Sequence, residues 1–171
     1  DGLVKESLIP EVDPWEHLVW TADSFIADGK IIAGYHWFGC WGRDSLISLP
    51  GLTLVTRRFD VARQVLLELV ERRSGGLIPN CFENGARDYD CADSSLLLFY
   101  ALHKYLTYTD DVALAEKIWG SLEEILDFYL ISNDKSIKVC EDGLVWSDKS
   151  TWMDAKIEDK RVTPRQGKAV E

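Results

Sequence analysis

Arg43 and Asp44 end a loop that otherwise consists mainly of aromatic residues and glycines, and this combination can bind a sugar. The loop has the sequence Ala-Gly-Tyr-His-Trp-Phe-Gly-Cys-Trp-Gly-Arg-Asp over residues 33–44. Sugar rings place their C–H faces on aromatic side chains, while carboxylate and guanidinium groups bind the hydroxyls. The same pattern fits a helix N-terminus in which Asp44 is the cap and the aromatic rings belong to the core. The loop alone leaves both interpretations open.

Asp154 is a second candidate for chemistry, because it follows Trp152 and Met153 in a loop segment. Glycoside hydrolysis needs a protonated carboxyl group beside the bridging oxygen and a second, ionised carboxylate that attacks or activates water. Partial exclusion of water by Trp152 and Met153 would help the carboxyl group of Asp154 to keep its proton, as the role of general acid requires. An isolated loop aspartate is also a common turn cap, so this interpretation stays open as well.

The elements that must position these residues are predicted to be helices, since apolar residues recur at helical spacing or in continuous runs. Asp13-Pro14 followed by Glu16 is typical of a helix start, and Gly29 is the predicted end of that helix. Pro50-Gly51 is expected to kink or shorten the second helix. The predicted helices cover residues 13–29, 44–55, 61–74, 93–106 and 114–129, and a short hairpin is predicted around residues 137–146.

One-sided and all-apolar helices alternate along the chain, which predicts two concentric layers with the all-apolar helices inside. A weak echo of Arg43-Asp44-Ser45 in Ala92-Asp93-Ser94 is typical of repeated helical hairpins. In such a ring the inner helices all start at one face. The charged residues expected to converge on that face are Arg43, Asp44, Asp93 and Glu171. Each carboxylate taken alone also fits an ordinary helix cap.

Composition limits the function without naming it. The chain has 171 residues, of which 46% are hydrophobic and seven are tryptophan, enough for the core of one domain. The net charge of −10 and the lack of a basic cluster argue against a nucleic-acid or anionic-membrane partner. No apolar run is long enough to cross a bilayer, and no signal peptide is visible. The four cysteines lack C-x-x-C spacing and disulfide-framework density, so a cytoplasmic location is expected.

From about Trp15 onward, the chain resembles the amylo-α-1,6-glucosidase part of glycogen debranching enzymes. Several motifs in a common order carry the resemblance, which makes it more specific than any one motif. They are residues 33–44 given above, Leu-Pro-Gly-Leu-Thr-Leu (49–54), Gly-Leu-Ile-Pro-Asn (76–80), Asp-Ser-Ser-Leu (93–96), Thr-Trp-Met-Asp-Ala-Lys (151–156) and Thr-Pro-Arg-Gln-Gly-Lys-Ala-Val-Glu (163–171). The resemblance implies an all-α fold of the (α/α)6 toroid type, akin to glucoamylases and neutral invertases.

The resemblance also implies a reaction, namely inverting hydrolysis of the single α-1,6-linked glucose at a glycogen branch point, without a metal or organic cofactor. Asp154 would be the general acid, and Arg43 and Asp44 would grip the terminal glucose. The other implied pocket residues are Asp93 and Glu171 as polar lining, Trp37, Phe38 and Trp41 as the apolar wall, and Asn80 at the rim. The implied partner is an α-glucan such as glycogen limit dextrin. Cys40 and Cys91 stand where relatives are expected to have other residues, and no role follows for them.

Length is the main departure from the family pattern. Residues 1–171 would form the N-terminal portion of the catalytic domain, a partial toroid of about two and a half helical hairpins. The family's catalytic base is a glutamate near the end of the toroid, beyond residue 171. We therefore expect an active hydrolase in the full-length protein and an inactive segment without the remainder of its own catalytic domain. The partial toroid is also expected to leave an apolar side of the inner helices uncovered.

Two alternatives stay open beside this hypothesis. One is another exo-glycosidase on the same toroid, such as a glucoamylase, trehalase or invertase relative, because the Arg-Asp pair and the acidic loop would serve any of these enzymes. The other is a non-catalytic helical domain that binds glycans or acts as a scaffold.

Overall fold

The computed structural model shows a mostly helical chain with small antiparallel sheets. The structure describes residues 13–81, 88–131, 136–149, 151–152, 156–158, 160–162 and 167–168. The helices are α1 (Pro14–Ser24), α2 (Gly42–Leu49), α3 (Phe59–Glu71), α4 (Asp93–Thr109) and α5 (Val112–Leu130), with a π-helical turn (Pro50–Leu54) directly after α2. The strands are β1 (Ile26–Ala27), β2 (Lys30–Ile31), β3 (Ile137–Val139), β4 (Val145–Ser147), β5 (Lys156–Ile157), β6 (Lys160–Arg161) and β7 (Gly167–Lys168). They pair as β1–β2, β3–β4–β7 and β5–β6.

The helices predicted from the apolar pattern are present, and the predicted hairpin is confirmed by the pairing of β3 with β4. The core lies between α2, α3, α4 and α5. Apolar residues at helical spacing make the inward stripe of α3, namely Ala62, Val65, Leu66, Leu69 and Val70. The stripe of α5 consists of Leu114, Ile118, Leu122, Ile125 and Tyr129. Burying each large apolar side chain stabilises the fold by about 1.5–3 kcal/mol. Among the described residues, no helix combines the length and apolar character that crossing a membrane requires.

The first helix differs from its prediction in length and in packing. It begins as predicted, with Asp13 as the N-cap, but it ends at Ser24 instead of Gly29. Residues 26–31 form the β1–β2 hairpin instead, and its turn holds Asp28 and Gly29 at positive φ. An Asp-Gly pair adopts that conformation readily, which explains why the helix stops early. No side chain of α1 is buried, so its apolar stripe does not pack into the core.

The second predicted helix is divided at Pro50, as its sequence requires. Proline has no amide hydrogen and cannot donate to the helical ladder. The chain therefore changes from α2 into the π-helical turn at this residue, and Val55 N donates to the Pro50 carbonyl at 3.1 Å.

Helices α2 and α4 are buried on one side and leave apolar side chains uncovered on the other, in agreement with the expectation that an apolar side stays uncovered. The two helices pack against each other through their inward faces, where Leu46 and Leu98 are fully buried. Their other faces carry exposed apolar side chains, including Ile47, Leu96 and Tyr100.

Candidate functional site

The first turns of α2 and α4 lie side by side, as predicted for the inner helices. Arg43 is the second residue of α2 and Asp93 is the first residue of α4. Arg43 Nε donates a hydrogen bond to Asp93 Oδ2 at 2.7 Å, and the two side chains are 9% and 20% exposed. A charge-assisted hydrogen bond with little water around it is stronger than one at the surface. The pair therefore fixes the two helix starts relative to each other.

Neither Asp44 nor Asp93 is a helix N-cap, so the capping interpretation does not hold for these carboxylates. The N-cap positions of α2 and α4 are Trp41 and Ala92, and neither makes a side-chain capping hydrogen bond. Asp44 lies in the first turn of α2 and is exposed. Both carboxylates lie in the first turn of a helix, at the positive end of the helix dipole.

A buried segment that contains Ile78, Pro79 and Asn80 holds the two helix starts in place. Gly42 N donates to the Asn80 carbonyl at 2.7 Å, and Ile78 N donates to Ser95 Oγ at 2.8 Å. Position 42 requires glycine, because a Cβ there would collide with the Pro79 carbonyl oxygen. Asn80 is 1% exposed. Its backbone carbonyl therefore holds the start of α2. Its side chain is buried, whereas the resemblance implied a residue at the rim of the pocket.

Helix α5 supports the start of α4 from the side. The Tyr129 hydroxyl donates to the Ala92 carbonyl, one residue before Asp93, and is also bonded to Ser95. Burial raises the pKa of Tyr129 far above its ordinary value. The hydroxyl consequently stays protonated and keeps its hydrogen bond to the start of α4.

Cys91 contacts both members of the Arg43–Asp93 pair, although the sequence analysis assigned it no role. Its Sγ lies 2.8 Å from Asp93 Oδ1, 3.3 Å from Arg43 Nη2 and 2.9 Å from Ser94 Oγ. The residue is 0% exposed. Burial, together with the negative charge of Asp93, raises the pKa of the Cys91 thiol to about 11. Proximity to Asp93 in the sequence was the available signal, but it does not show a contact.

A cavity of about 360 Å³ opens beside this pair. Its lining residues are Ala33, Phe38, Trp41, Arg43, Asp44 and Trp152. The cavity thus combines aromatic rings with a guanidinium and a carboxylate, the groups that suit a sugar. Trp152 joins this lining from the other end of the chain, next to the segment that carries Asp154.

The interpretation of the loop aromatics as core residues does not hold for Trp37 or Phe38. They are 79% and 50% exposed. Phe38 and Trp41 line the cavity, whereas Trp37 is not among its lining residues. The part of the predicted apolar wall that the structure brings together therefore consists of Phe38 and Trp41, with Trp152 in addition.

A larger open groove of about 830 Å³ runs along α3, but its chemistry differs. Three of its charged side chains are paired with one another, because Glu68 accepts both Lys30 and Arg72 as ion-pair partners. Its lining contains no aromatic ring. We therefore place the candidate site at the smaller cavity beside Arg43.

Asp154 and Glu171 lie outside the described residues, so their roles stay predictions. Within the described part of the chain, no group of three or more histidine, cysteine, aspartate or glutamate residues is arranged to hold a metal ion.

Comparison with known proteins confirms the family resemblance. The sequence model of the family described as "Amylo-alpha-1,6-glucosidase" matches residues 18–171. The chain is also similar to the glycogen debranching enzyme of Saccharomyces cerevisiae, with 37% identity over 73 residues. That match covers 42% of this chain and 5% of the yeast enzyme. Because the family model matches most of its length, the chain belongs to the amylo-alpha-1,6-glucosidase family.

Proposed function

We propose that this chain supplies the glucose pocket and the general acid of an inverting α-1,6-glucosidase that removes the branch-point glucose from a glycogen limit dextrin. Membership of the family supports the reaction class. The observation that carries the proposal is the meeting of Arg43 and Asp93 beside a cavity lined by Phe38 and Trp41. These groups are far apart in the sequence, and the fold brings a guanidinium, a carboxylate and aromatic rings together at one cavity.

In this proposal, the described residues bind one sugar ring. Phe38 and Trp41 offer rings for the C–H face of glucose, and Arg43 and Asp44 offer a donor and an acceptor for its hydroxyls. Asp93 holds the Arg43 guanidinium in one orientation. A group fixed before the substrate arrives loses little conformational entropy on binding, which favours affinity.

The proposal assigns the chemical step to two carboxyl groups. Asp154 would protonate the bridging oxygen as the glucose leaves, and a glutamate beyond residue 171 would activate the attacking water. The position of Trp152 supports the first assignment, since this residue lines the cavity and only Met153 separates it from Asp154.

We also propose that residues 1–171 form part of an (α/α)6 toroid. The support is the side-by-side start of α2 and α4, with α3 and α5 packed on them. The exposed apolar side chains of α2 and α4 fit contacts with further helices of such a ring. Within the described residues, none of the four cysteines forms a disulfide, which fits the proposed cytoplasmic location.

The proposal is tested by the substitution Asp154→Asn in the full-length protein. Loss of a general acid is expected to slow glucose release from limit dextrin by about 10²–10⁴-fold, while dextrin binding persists. Glucose release and equilibrium binding are measured on the same preparations. Asp148→Asn is the matched control, because Asp148 is an exposed aspartate that follows β4 in the same region.

Three outcomes would contradict the proposal. Hydrolysis by Asp154→Asn at the wild-type rate removes Asp154 from the mechanism. Faster cleavage of maltose, trehalose or sucrose than of α-1,6 ends favours another exo-glycosidase. Dextrin binding without any hydrolysis by the wild-type protein favours a glycan-binding domain. The isolated 171-residue chain is expected to release no glucose.

A further inference from the structure

We propose that Cys91 is a positioning residue of the glucose pocket, whose thiol fixes the rotation of the Asp93 carboxylate and thereby the orientation of Arg43 beside the cavity. This inference rests on the proposed function of the pocket. Cys91 itself is buried and lines no part of the cavity, so it acts through its neighbours.

The three side chains form a closed ring of hydrogen bonds. Arg43 Nε donates to Asp93 Oδ2 at 2.7 Å, the Cys91 thiol donates to Asp93 Oδ1 at 2.8 Å, and Arg43 Nη2 donates to Cys91 Sγ at 3.3 Å. A carboxylate held through one oxygen can still turn about its Cβ–Cγ bond. With a different donor on each oxygen, its plane is fixed. The guanidinium is likewise held at two of its nitrogens.

The direction of each hydrogen bond is consistent with the single hydrogen of a thiol. When that hydrogen points to Asp93, the Ser94 hydroxyl, 2.9 Å from Sγ, donates to the sulfur. Loss of the thiol proton would place a second negative charge next to Asp93. The raised pKa of Cys91, about 11, keeps the donor in place at neutral pH.

A residue that only fills space in the core would act differently from a positioning donor. A filler depends on its volume, whereas this role depends on one hydrogen directed at Asp93 Oδ1. Valine is apolar and of similar size to cysteine but cannot donate, and serine is smaller but can. The two substitutions therefore separate the two roles.

The experiment compares Cys91→Val and Cys91→Ser in the full-length protein, by kcat and KM for glucose release from limit dextrin and by the thermal midpoint. We expect Cys91→Val to raise KM about 3–10-fold with kcat within about twofold, because orientation of a binding group affects substrate and transition state alike. Cys91→Ser is expected to keep KM within about twofold of wild type, since it restores the donor. Cys140→Val, at a half-buried cysteine beside the β3–β4 turn, is the control for loss of a thiol.

Equal KM values for the valine and serine variants would overturn the inference, as would KM values that follow the thermal midpoint instead of the donor. If Cys91→Val does not fold, Cys91→Ala takes its place in the same comparison with serine. Asp93→Asn separates this inference from the proposed function. A raised KM in Asp93→Asn with an unchanged KM in Cys91→Val overturns the role of Cys91 alone. An unchanged KM in Asp93→Asn overturns the pocket assignment and the role of Cys91 together.

Discussion

Arg43 and Asp93 depend on each other because both charges are largely removed from water. Such a pair contributes little net stability, since removal of water offsets most of the attraction. Removing one partner is costly, by about 3–5 kcal/mol, because the other charge is left buried alone. The pair therefore contributes mainly by holding the guanidinium and the carboxylate in fixed positions, at the edge of a cavity that suits one sugar ring.

Asp111 shows the same principle at the start of α5, where its role is structural. Its carboxylate caps the helix at Leu114 N and accepts hydrogen bonds from Tyr105 at 2.9 Å and Arg63 at 3.2 Å. The hydrogen bond from Tyr105 is the main reason why the pKa of Asp111 is lowered from its ordinary value of 3.8. Because the pKa of Asp111 is lowered in the folded state, the ionised carboxylate stabilises the fold fully at pH values above the ordinary pKa of 3.8. The stabilisation is lost as the pH falls through the lowered pKa.

The substitution Asp111→Asn is expected to reduce the free energy of unfolding at pH 7, with a difference from wild type that narrows below pH 3.8. Asparagine caps a helix about as well as aspartate, so the substitution mainly removes the charge. Urea unfolding between pH 7 and pH 3 measures the effect. Asp110→Asn is the control, because that neighbour is exposed and its positive φ is tolerated by asparagine. A difference that is constant with pH would contradict the role of the Asp111 charge.

Helix α5 stabilises the start of α4 and also packs against the turn that follows α3. Tyr129 donates to Ala92, and the side chain of Phe128 lies against Gly76. Gly120, in a different part of α5, faces free space, because no atom would lie within 4 Å of an added Cβ. A side chain therefore fits at position 120 but collides with Phe128 at position 76.

Gly120→Ala is expected to raise the free energy of unfolding by about 0.5–1 kcal/mol, because alanine loses less conformational entropy in a helix. Gly76→Ala is the matched substitution and is expected to lower the free energy of unfolding by about 1–3 kcal/mol, because the new methyl group collides with Phe128. Urea unfolding at pH 7 compares both variants with wild type. Equal effects of the same sign would show that the packing of α5 differs from this description.

The helices could be predicted where one physical pattern dominates. The helical spacing of Val65, Leu66 and Leu69 was sufficient to predict α3, because a helix places all three side chains on one face, where they can pack into a core. The β1–β2 hairpin was missed because its strands have two residues each, although Asp28-Gly29 is a turn signal. The exposure of α1 was missed because an apolar stripe does not reveal whether a partner covers it.

In the candidate site, the convergence of Arg43 and Asp93 could be predicted from the sequence, but the residues that hold them in place could not. The echo between the sequences at Arg43 and Asp93 suggested that both residues start inner helices, and the structure places them in contact. The contact of Cys91 with Arg43 depends on a helix nearly fifty residues away in sequence, and no local pattern encodes it. The same holds for Trp152, whose place in the cavity lining depends on how the distant segment folds back.

The molecule as a whole has apolar side chains on the surface of α2 and α4. Ile47 on α2 and Leu96 and Tyr100 on α4 are exposed. Apolar side chains exposed close together favour association with other surfaces.

The isolated 171-residue chain is therefore expected to bind an apolar fluorescent dye and to self-associate in size-exclusion chromatography with light scattering. The double substitution Ile47→Lys and Leu96→Lys is expected to reduce both signals, because it places charge on those faces. Thr107→Lys adds one positive charge, half of the charge added in the double variant, at an exposed polar position of α4 and controls for the effect of added charge. A monomer without dye binding, or an equal effect of Thr107→Lys, would contradict this expectation.

The complete burial of Cys91 has a practical consequence for following motion in this protein. Alkylating reagents attack the thiolate, and Cys91 is inaccessible and protonated at neutral pH in the native state. The half-buried Cys81 and Cys140 are reached more easily. Modification of Cys91 requires the start of α4 to separate from its neighbours, so the rate of its alkylation reports how often the native protein opens at this point.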